Sequence, residues 1–338
     1  MTSKKLPIGK LPPDILSKLL KAAPLLDQRV ILGPGIGIDC AVVDMGDRLL
    51  VFKSDPITFA TNEIGWYAVQ VSSNDIATTG ATPCWYLVTA LLPENTTDES
   101  LVQTISNQIY NACREKGISV IGGHTEITYG IHRPIVVGTL IGEVTRERLI
   151  MPCGATPGDR LLLTKGVPIE AAAILAREFP QRLLPKLGAA EIQEAADYLY
   201  QPGISILRDA QIALAAGRVT AMHDPTEGGL ASALWEMAEA SGRTLVFHPN
   251  QVPVPPLASR ICRVFGLDPL ACIASGALLM SVVDHDADAI CSALNAAGIA
   301  CREIGRVEEG AAQVLQENPS GRYRYPRPER DEITKVYE

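Results

Sequence analysis

The sequence predicts a two-domain α+β protein, and three observations carry that prediction. The chain has 338 residues, enough for two ordinary domains, and 47% of them are apolar, enough for a substantial core. Predicted strands and helices mix without a steady βαβα rhythm, which argues against a doubly wound sheet. A crossover rich in turn residues, "MPCGATPGDRLLLTKG", divides the chain, with Gly154, Pro157, Gly158 and Asp159 punctuating it. The expected units are an N-terminal arm (1–29), a first domain (30–152), a second domain (153–310) and a tail (311–338).

The elements follow in order. In the first half, alternation in "CAVVDMGDRLLVFKSD" predicts strands, 62–79 a helix, "WYLVTALLP" a strand and 97–116 a helix; "ISVIGGHTEIT" and "RPIVVGTLIGEV" read as two more strands. In the second half, helices are expected near 168–178, 189–199, 204–216, 229–241 and 286–297, with strands near 160–164, 244–247, 277–283 and 302–307. The tail "NPSGRYRYPRPERDEITKVYE" is polar and punctuated by proline, so it is expected to be loosely ordered.

Composition excludes several function classes. A formal net charge of −8 leaves no Lys/Arg stripe for a nucleic-acid surface. The apolar runs are too short or too interrupted to span a bilayer, and no charged-then-apolar leader is recognisable. The eight cysteines are scattered singly, without C-x-x-C or zinc-type spacing, which fits reduced thiols in the cytoplasm.

The chemistry concentrates in five stretches. In "SNDIATTGATP", steps of 100° along a helix from Ile64 put Ala68, Val71 and Asp75 within roughly 40° of Ile64, so Asp75 lies on the apolar stripe. A buried carboxylate there needs hydrogen bonds, an opposite charge or a metal. "GPGIGIDCAVV" sets three glycines before Asp39, either a loop feeding a strand or a backbone approach to phosphate. "FKSDPITF" puts Lys53 and Asp55 on one face of a strand, with Pro56 ending or bending it. "VIGGHTEIT" offers either an anion nest at Gly122 and Gly123, with His124, Thr125 and Glu126 facing a ligand, or a tight hairpin turn.

"MHDPTEGGLASALWEMAEASG" has a local explanation in a capping box: Asp224 at the cap, Pro225 first, Glu227 three after the cap. Gly228 and Gly229 are left over, since two glycines in a first turn cost about 1 kcal/mol each. A nucleotide phosphate approaching the helix N-terminus would require them. Taken together, Asp39, Asp55, Asp75 and Asp224 form an oxygen-donor set suited to Mg²⁺ bridging substrate phosphates.

"SDPITF", "SNDIATTGATP", "IGGHTE", "GATPGDRLLLTKG", "DPTEGGLASALWEMAEASG" and "FGLDPLACIASGALLMSV", in that order, resemble the aminoimidazole-ribonucleotide synthetase superfamily over about residues 30 to 310. The chain is most similar to its HypE-like branch; thiamin-monophosphate kinase and selenophosphate synthetase are other branches. The resemblance implies a PurM-like pair of α+β domains, a homodimer formed through the N-terminal sheet domains, and ATP with Mg²⁺ as cofactors. It implies Asp39, Asp55, Asp75 and Asp224 as metal ligands. Lys53, Asn74, Gly122, Gly123, Thr125, Thr226 and Gly228 would contact the nucleotide, and Asp75 and His124 are the candidate catalytic residues. The reaction implied is transfer of the terminal phosphoryl group of ATP to a small acceptor, often an amide-type oxygen that is then lost.

Three departures stand against the family pattern. Ile38 replaces a carboxylate in "GIDC", residue 124 is His, and the cysteine nearest the end is Cys301 rather than a terminal one. A kinase or ATP-driven dehydratase or ligase is the expected activity, with a hydrogenase maturation factor taking its thiol from elsewhere, or a nucleotide-binding scaffold without turnover, as alternatives.

Overall fold

The structure, a computed structural model, describes residues 6, 11–35, 37–57 and 63–337. Ile36 of the glycine-rich stretch and Thr58 and Phe59 of "SDPITF" lie outside the described residues. Helix α1 (Pro13–Lys21) precedes β1 (Val30–Leu32), β2 (Ala41–Asp44), β3 (Leu49–Ile57), α2 (Ile64–Thr78), β4 (Thr82–Pro93), α3 (Glu99–Lys116), β5 (Ser119–Thr128) and β6 (Ile135–Val144). The six strands form one sheet in the order β1-β2-β3-β6-β4-β5, in which the one parallel pair, β4 with β5, is joined by the α3 crossover.

The second half contains β7 (Arg160–Thr164), α4 (Ile169–Glu178), α5 (Pro180–Leu183), α6 (Ala189–Ala196), α7 (Leu207–Ala216), β8 (Val219–His223), α8 (Gly229–Ser241), β9 (Thr244–Phe247), α9 (Pro256–Phe265), β10 (Leu279–Val282), α10 (Ala287–Ala296), β11 (Cys301–Glu308), β12 (Gln313–Asn318) and β13 (Gly321–Arg324). Its seven strands are ordered β13-β12-β9-β11-β7-β10-β8. Two mixed sheets, each with its own helices and core, make this a two-domain α+β fold.

Helix α2 carries the junction. The sequence places Asp75 on an apolar stripe, but every residue of α2 except Trp66 is buried, so no face is left to water. The helix packs on its own sheet and α3, and its other side meets α7 and β8 of the second domain. Two of its polar residues are bonded locally: Ser73 Oγ donates to Val69 O at 2.6 Å and Thr78 Oγ1 to Asp75 O at 2.7 Å. Asn74 reaches across the junction instead. Its Nδ2 donates to Ile204 O at 2.8 Å, and its Oδ1 accepts from Ile206 N at 3.0 Å. Lys116 Nζ donates to Ser205 Oγ at 2.9 Å, so both α2 and α3 of the first domain hold the segment between α6 and α7.

Three local expectations change. "VIGGHTEIT" is neither a nest nor a turn: β5 runs straight through it, and Gly123 pairs with Val88 so closely that a Cβ would stand 1.9 Å from Val88 O. Pro56 does not end β3, which runs on to Ile57; β2 pairs only with Leu49–Phe52, so this end of β3 is bonded on one side. The tail is not loose. Strands β12 and β13 extend the second sheet, Trp235 Nε1 donates to Tyr325 O at 3.2 Å, and Tyr337 stacks edge-on against Phe179 at 5.4 Å.

Candidate active site

Strand β3 and helix α2 bring Lys53 and Asp75 together from 22 positions apart in the numbering. Lys53 Nζ lies 2.9 Å from Asp75 Oδ2 and 3.9 Å from Asp55 Oδ1. The Asp75 contact is an ion pair close in distance but off the hydrogen-bond direction, so that oxygen has no directed donor. Burial pushes the Asp75 carboxyl above the usual carboxylate range; Lys53 opposes this, and Asp39 and Asp55 add to it. Burial alone would lower Lys53, but Asp75, Asp39 and Asp55 hold its ammonium well above its ordinary value.

Strand β8 delivers the second half of the cluster at its end. His223 Nε2 lies 2.8 Å from Glu236 Oε2 on α8, and Nδ1 lies 3.1 Å from Asp224 O. Both partners only accept, so both ring nitrogens carry protons and His223 is an imidazolium. Burial opposes this, but the Glu236 hydrogen bond and the charges of Asp39, Glu236 and Asp224 push its pKa up to about 10. Asp39, at the rim and 37% exposed, comes within 4.0 Å of His223 Nε2. Asp224 is 1% exposed, and neither of its oxygens receives a hydrogen bond. Burial, with the charges of Asp75 and Asp39, pushes its carboxyl well above the ordinary range.

Ligand-type atoms of Asp39, His223 and Asp224 lie within 4.8 Å of one another. A divalent metal fits this arrangement, but through its oxygens. His223 has no lone pair free for coordination, whereas Asp224 presents two orphaned buried oxygens and Asp75 stands beside it. Among the described residues, the carboxylates Asp39, Asp55, Asp75, Asp224 and Glu236 gather around the cations Lys53 and His223. A hard cation such as Mg²⁺ suits the donors and would offset the excess. Cys40 is no competitor: its thiol points to Asp75 O at 3.3 Å, and burial pushes its pKa well up.

The structure therefore gathers Asp39, Asp55, Asp75, Asp224 and Lys53. Ile38, where the family pattern has a carboxylate, bridges to Gly35 in the loop beside them. Asn74 neighbours the cluster, but both ends of its amide are occupied at the domain junction. Gly122, Gly123, His124 and Thr125 lie elsewhere, on exposed β5. Asp55 pairs with Gly138, Gly138 with Val88 and Val88 with Gly123, so three strand spacings, about 14 Å, separate them within one chain. His124 Nε2 lies 3.3 Å from Glu126 Oε2 there, both exposed.

At the start of α8 the capping box is absent: the helix begins at Gly229, and Asp224 caps nothing. Gly228 and Gly229 are required by tertiary contacts. Both have positive φ, 79° and 59°, and a Cβ on Gly229 would stand 2.4 Å from Cys272 O. The Gly228 N–H donates to Asp331 Oδ2 of the tail at 2.6 Å, and Thr226 O accepts from Gly229 N at 2.9 Å. His223 and Glu236 are the site residues that sequence reasoning passed over. Both stand in the "MHDPTEGGLASALWEMAEASG" stretch, and the signal was a carboxylate in the apolar run of α8 opposite a histidine at a strand end.

The AIR synthase related protein families match both halves: the N-terminal domain over residues 37–144 and the C-terminal domain over 156–317. A putative hydrogenase expression/formation protein of Methanocaldococcus jannaschii is 30% identical over 81% of this chain and 81% of its own length. Carbamoyl dehydratase HypE of Cupriavidus necator is 30% identical over 77% of this chain and 72% of its own. A crystal structure of hydrogenase maturation protein HypE in complex with ATP superposes with a TM-score of 0.68, at 23% identity, over 93% of this chain and 91% of that one. With both domains matched in order, and with these relatives, the chain belongs to the AIR synthase related family and is similar to its HypE-like members.

Proposed function

We propose that this protein is an ATP-using enzyme whose nucleotide is held through Mg²⁺ at the Asp39, Asp75 and Asp224 cluster, and that it passes the terminal phosphoryl group to the oxygen of a small acceptor. The observation that carries the reading is Asp224: a buried carboxyl with no hydrogen bond to either oxygen, acted on by the charges of Asp75 and Asp39, is what a bound cation would satisfy. The ATP-bound HypE structure supports the choice of ligand.

Mg²⁺ held there would supply charge neutralisation for a polyphosphate. The chain's own residues do the rest. Asp75 and Asp224 fix the position from two domains, and Lys53 holds Asp75 ionised. The His223–Glu236 pair braces the end of β8 so that Asp224 points inward. Burial of the cluster excludes water that would otherwise compete with the acceptor. Positioning and electrostatics are the main contribution expected in phosphoryl transfer.

The acceptor of choice is an amide-type oxygen, phosphorylated and then lost, because a curated carbamoyl dehydratase is 30% identical over 77% of this chain. The reading also assigns the exposed β5 edge to a second copy of the chain, since Val120, Ile121 and Ile127 are uncovered there. Thermal unfolding with and without Mg²⁺-ATP tests the core of the proposal. Stabilisation of about 2.7 kcal/mol is expected at a hundredfold excess over Kd, with ADP release on adding carboxamides. An unchanged melting curve sinks it, and binding without ADP release leaves a nucleotide-binding scaffold.

A further inference from the structure

The cysteines of this chain are not equivalent. Cys40, Cys113, Cys262 and Cys272 are buried, and Cys84 and Cys153 have no cysteine as a hydrogen-bond partner. Cys291 and Cys301 differ from all of them. They lie partly exposed on α10 and β11, and their sulfurs stand 3.1 Å apart. A disulfide needs about 2.0 Å, so the sulfurs have about 1 Å to close.

The backbone is already fixed around this pair. Asn295 Oδ1 accepts from Cys301 N at 3.0 Å, and its Nδ2 donates to Cys301 O at 3.3 Å, which ties the last turn of α10 to the first residue of β11. On its other side Cys301 is paired with Thr164 of β7. The site is separate from the carboxylate cluster: β8, β10, β7 and β11 are consecutive neighbours, so about 14 Å lies between the β8 end that bears His223 and Asp224 and the start of β11.

We propose that Cys291 and Cys301 form a reversible thiol-modification site, which closes to an intramolecular disulfide by exchange with a low-molecular-weight disulfide of the glutathione class. The Cys291 thiolate attacks one sulfur of the incoming disulfide; that S–S bond breaks and one thiolate leaves. Cys301, deprotonated, then attacks the Cys291 sulfur of the mixed disulfide, forming the internal bond and expelling the second thiolate. The protons of the two cysteines end on the two released thiols, and the two electrons lost by the pair reduce the incoming disulfide. The order of attack follows from the environment. The hydrogen bond from Cys301 lowers the pKa of Cys291, whereas that of Cys301 is raised, so Cys291 supplies the first thiolate.

The test is oxidation of the full chain with oxidised glutathione, followed by alkylation and peptide mass mapping. The expected product is a peptide pair linked between Cys291 and Cys301, two hydrogens lighter than the reduced pair and reopened by dithiothreitol. Exposed Cys153 should yield only a glutathione adduct under the same conditions. In Cys301→Ser the glutathione adduct should persist on Cys291, and in Cys291→Ser no linked pair should form. Full alkylation of Cys291 and Cys301 in the wild-type chain after Cys153 has been glutathionylated overturns the proposal, as does a stable adduct on Cys291 that never resolves. The wild-type mapping decides this even if a variant folds poorly. It is also independent of nucleotide binding.

Discussion

Asn74 Oδ1 accepts a hydrogen bond from Ile206 N at 3.0 Å, and this bond joins the residue before Asp75 to the second domain. Both ends of the amide are used, so the side chain sets where the first domain sits against the second. Replacing it should therefore act on stability as well as on the neighbouring carboxylate. Asn74→Ala would leave the Ile206 N–H and Ile204 O buried without partners, at about 1–3 kcal/mol. A lower midpoint in urea checks this, and weakened stabilisation by Mg²⁺-ATP should accompany it.

Asp224→Asn should separate stability from binding. Burial already favours the neutral form of this carboxyl without ligand, so the isosteric amide should leave ligand-free stability nearly unchanged, while the stabilisation by Mg²⁺-ATP disappears. Thermal unfolding of both proteins, with and without Mg²⁺-ATP, reads the two effects in one series. Loss of stability without ligand would show that the carboxylate has a partner other than a cation.

Glu170 makes stability depend on pH. It is 3% exposed at the start of α4, and its Oε2 accepts from Ser275 N at 2.8 Å. Burial pushes its pKa up to about 7, against an opposing pull from the Ser275 hydrogen bonds. The folded state then binds the proton more tightly than the unfolded chain, so this contribution is full below about pH 4.5 and is lost as pH rises toward 7. The loss is about 3 kcal/mol. Glu170→Gln should flatten the stability profile across that window, as measured by urea titrations at successive pH values.

Ile121→Lys on the β5 edge should leave folding intact and abolish self-association. Ile121 is 54% exposed, so a lysine there can keep its charged end in water. Light scattering coupled to size-exclusion chromatography measures the change in mass. A wild-type monomer would remove the dimer from the proposed function.

The local pattern of the first domain was legible because its signals are local. The helix at 62–79 appears as Ile64–Thr78, and the strand alternation from Cys40 onward appears as β2 and β3. Such periodicity depends on residues a few positions apart. Strand β8 and helix α9 were not read, and β12 and β13 were lost in a polar tail. Strands β8 and β12 are held by partners far away in the chain, β10 and β9, and β13 pairs on β12.

The site divides in the same way. The sequence alone determined that Asp39, Asp55, Asp75 and Asp224 stand at turns or in apolar runs, where a carboxylate is costly without a partner. Tertiary structure decided which partner each has. It aimed Lys53 at Asp75, made His223 a doubly donating cation on Glu236, left Asp224 without a hydrogen bond, and used Asn74 as a domain clasp. It also turned "IGGHTE" into an exposed sheet edge instead of an anion nest. The physical reason is that the cost of burying a charge follows from the residue type, whereas what offsets it is set by atoms that only the fold brings within a few ångströms.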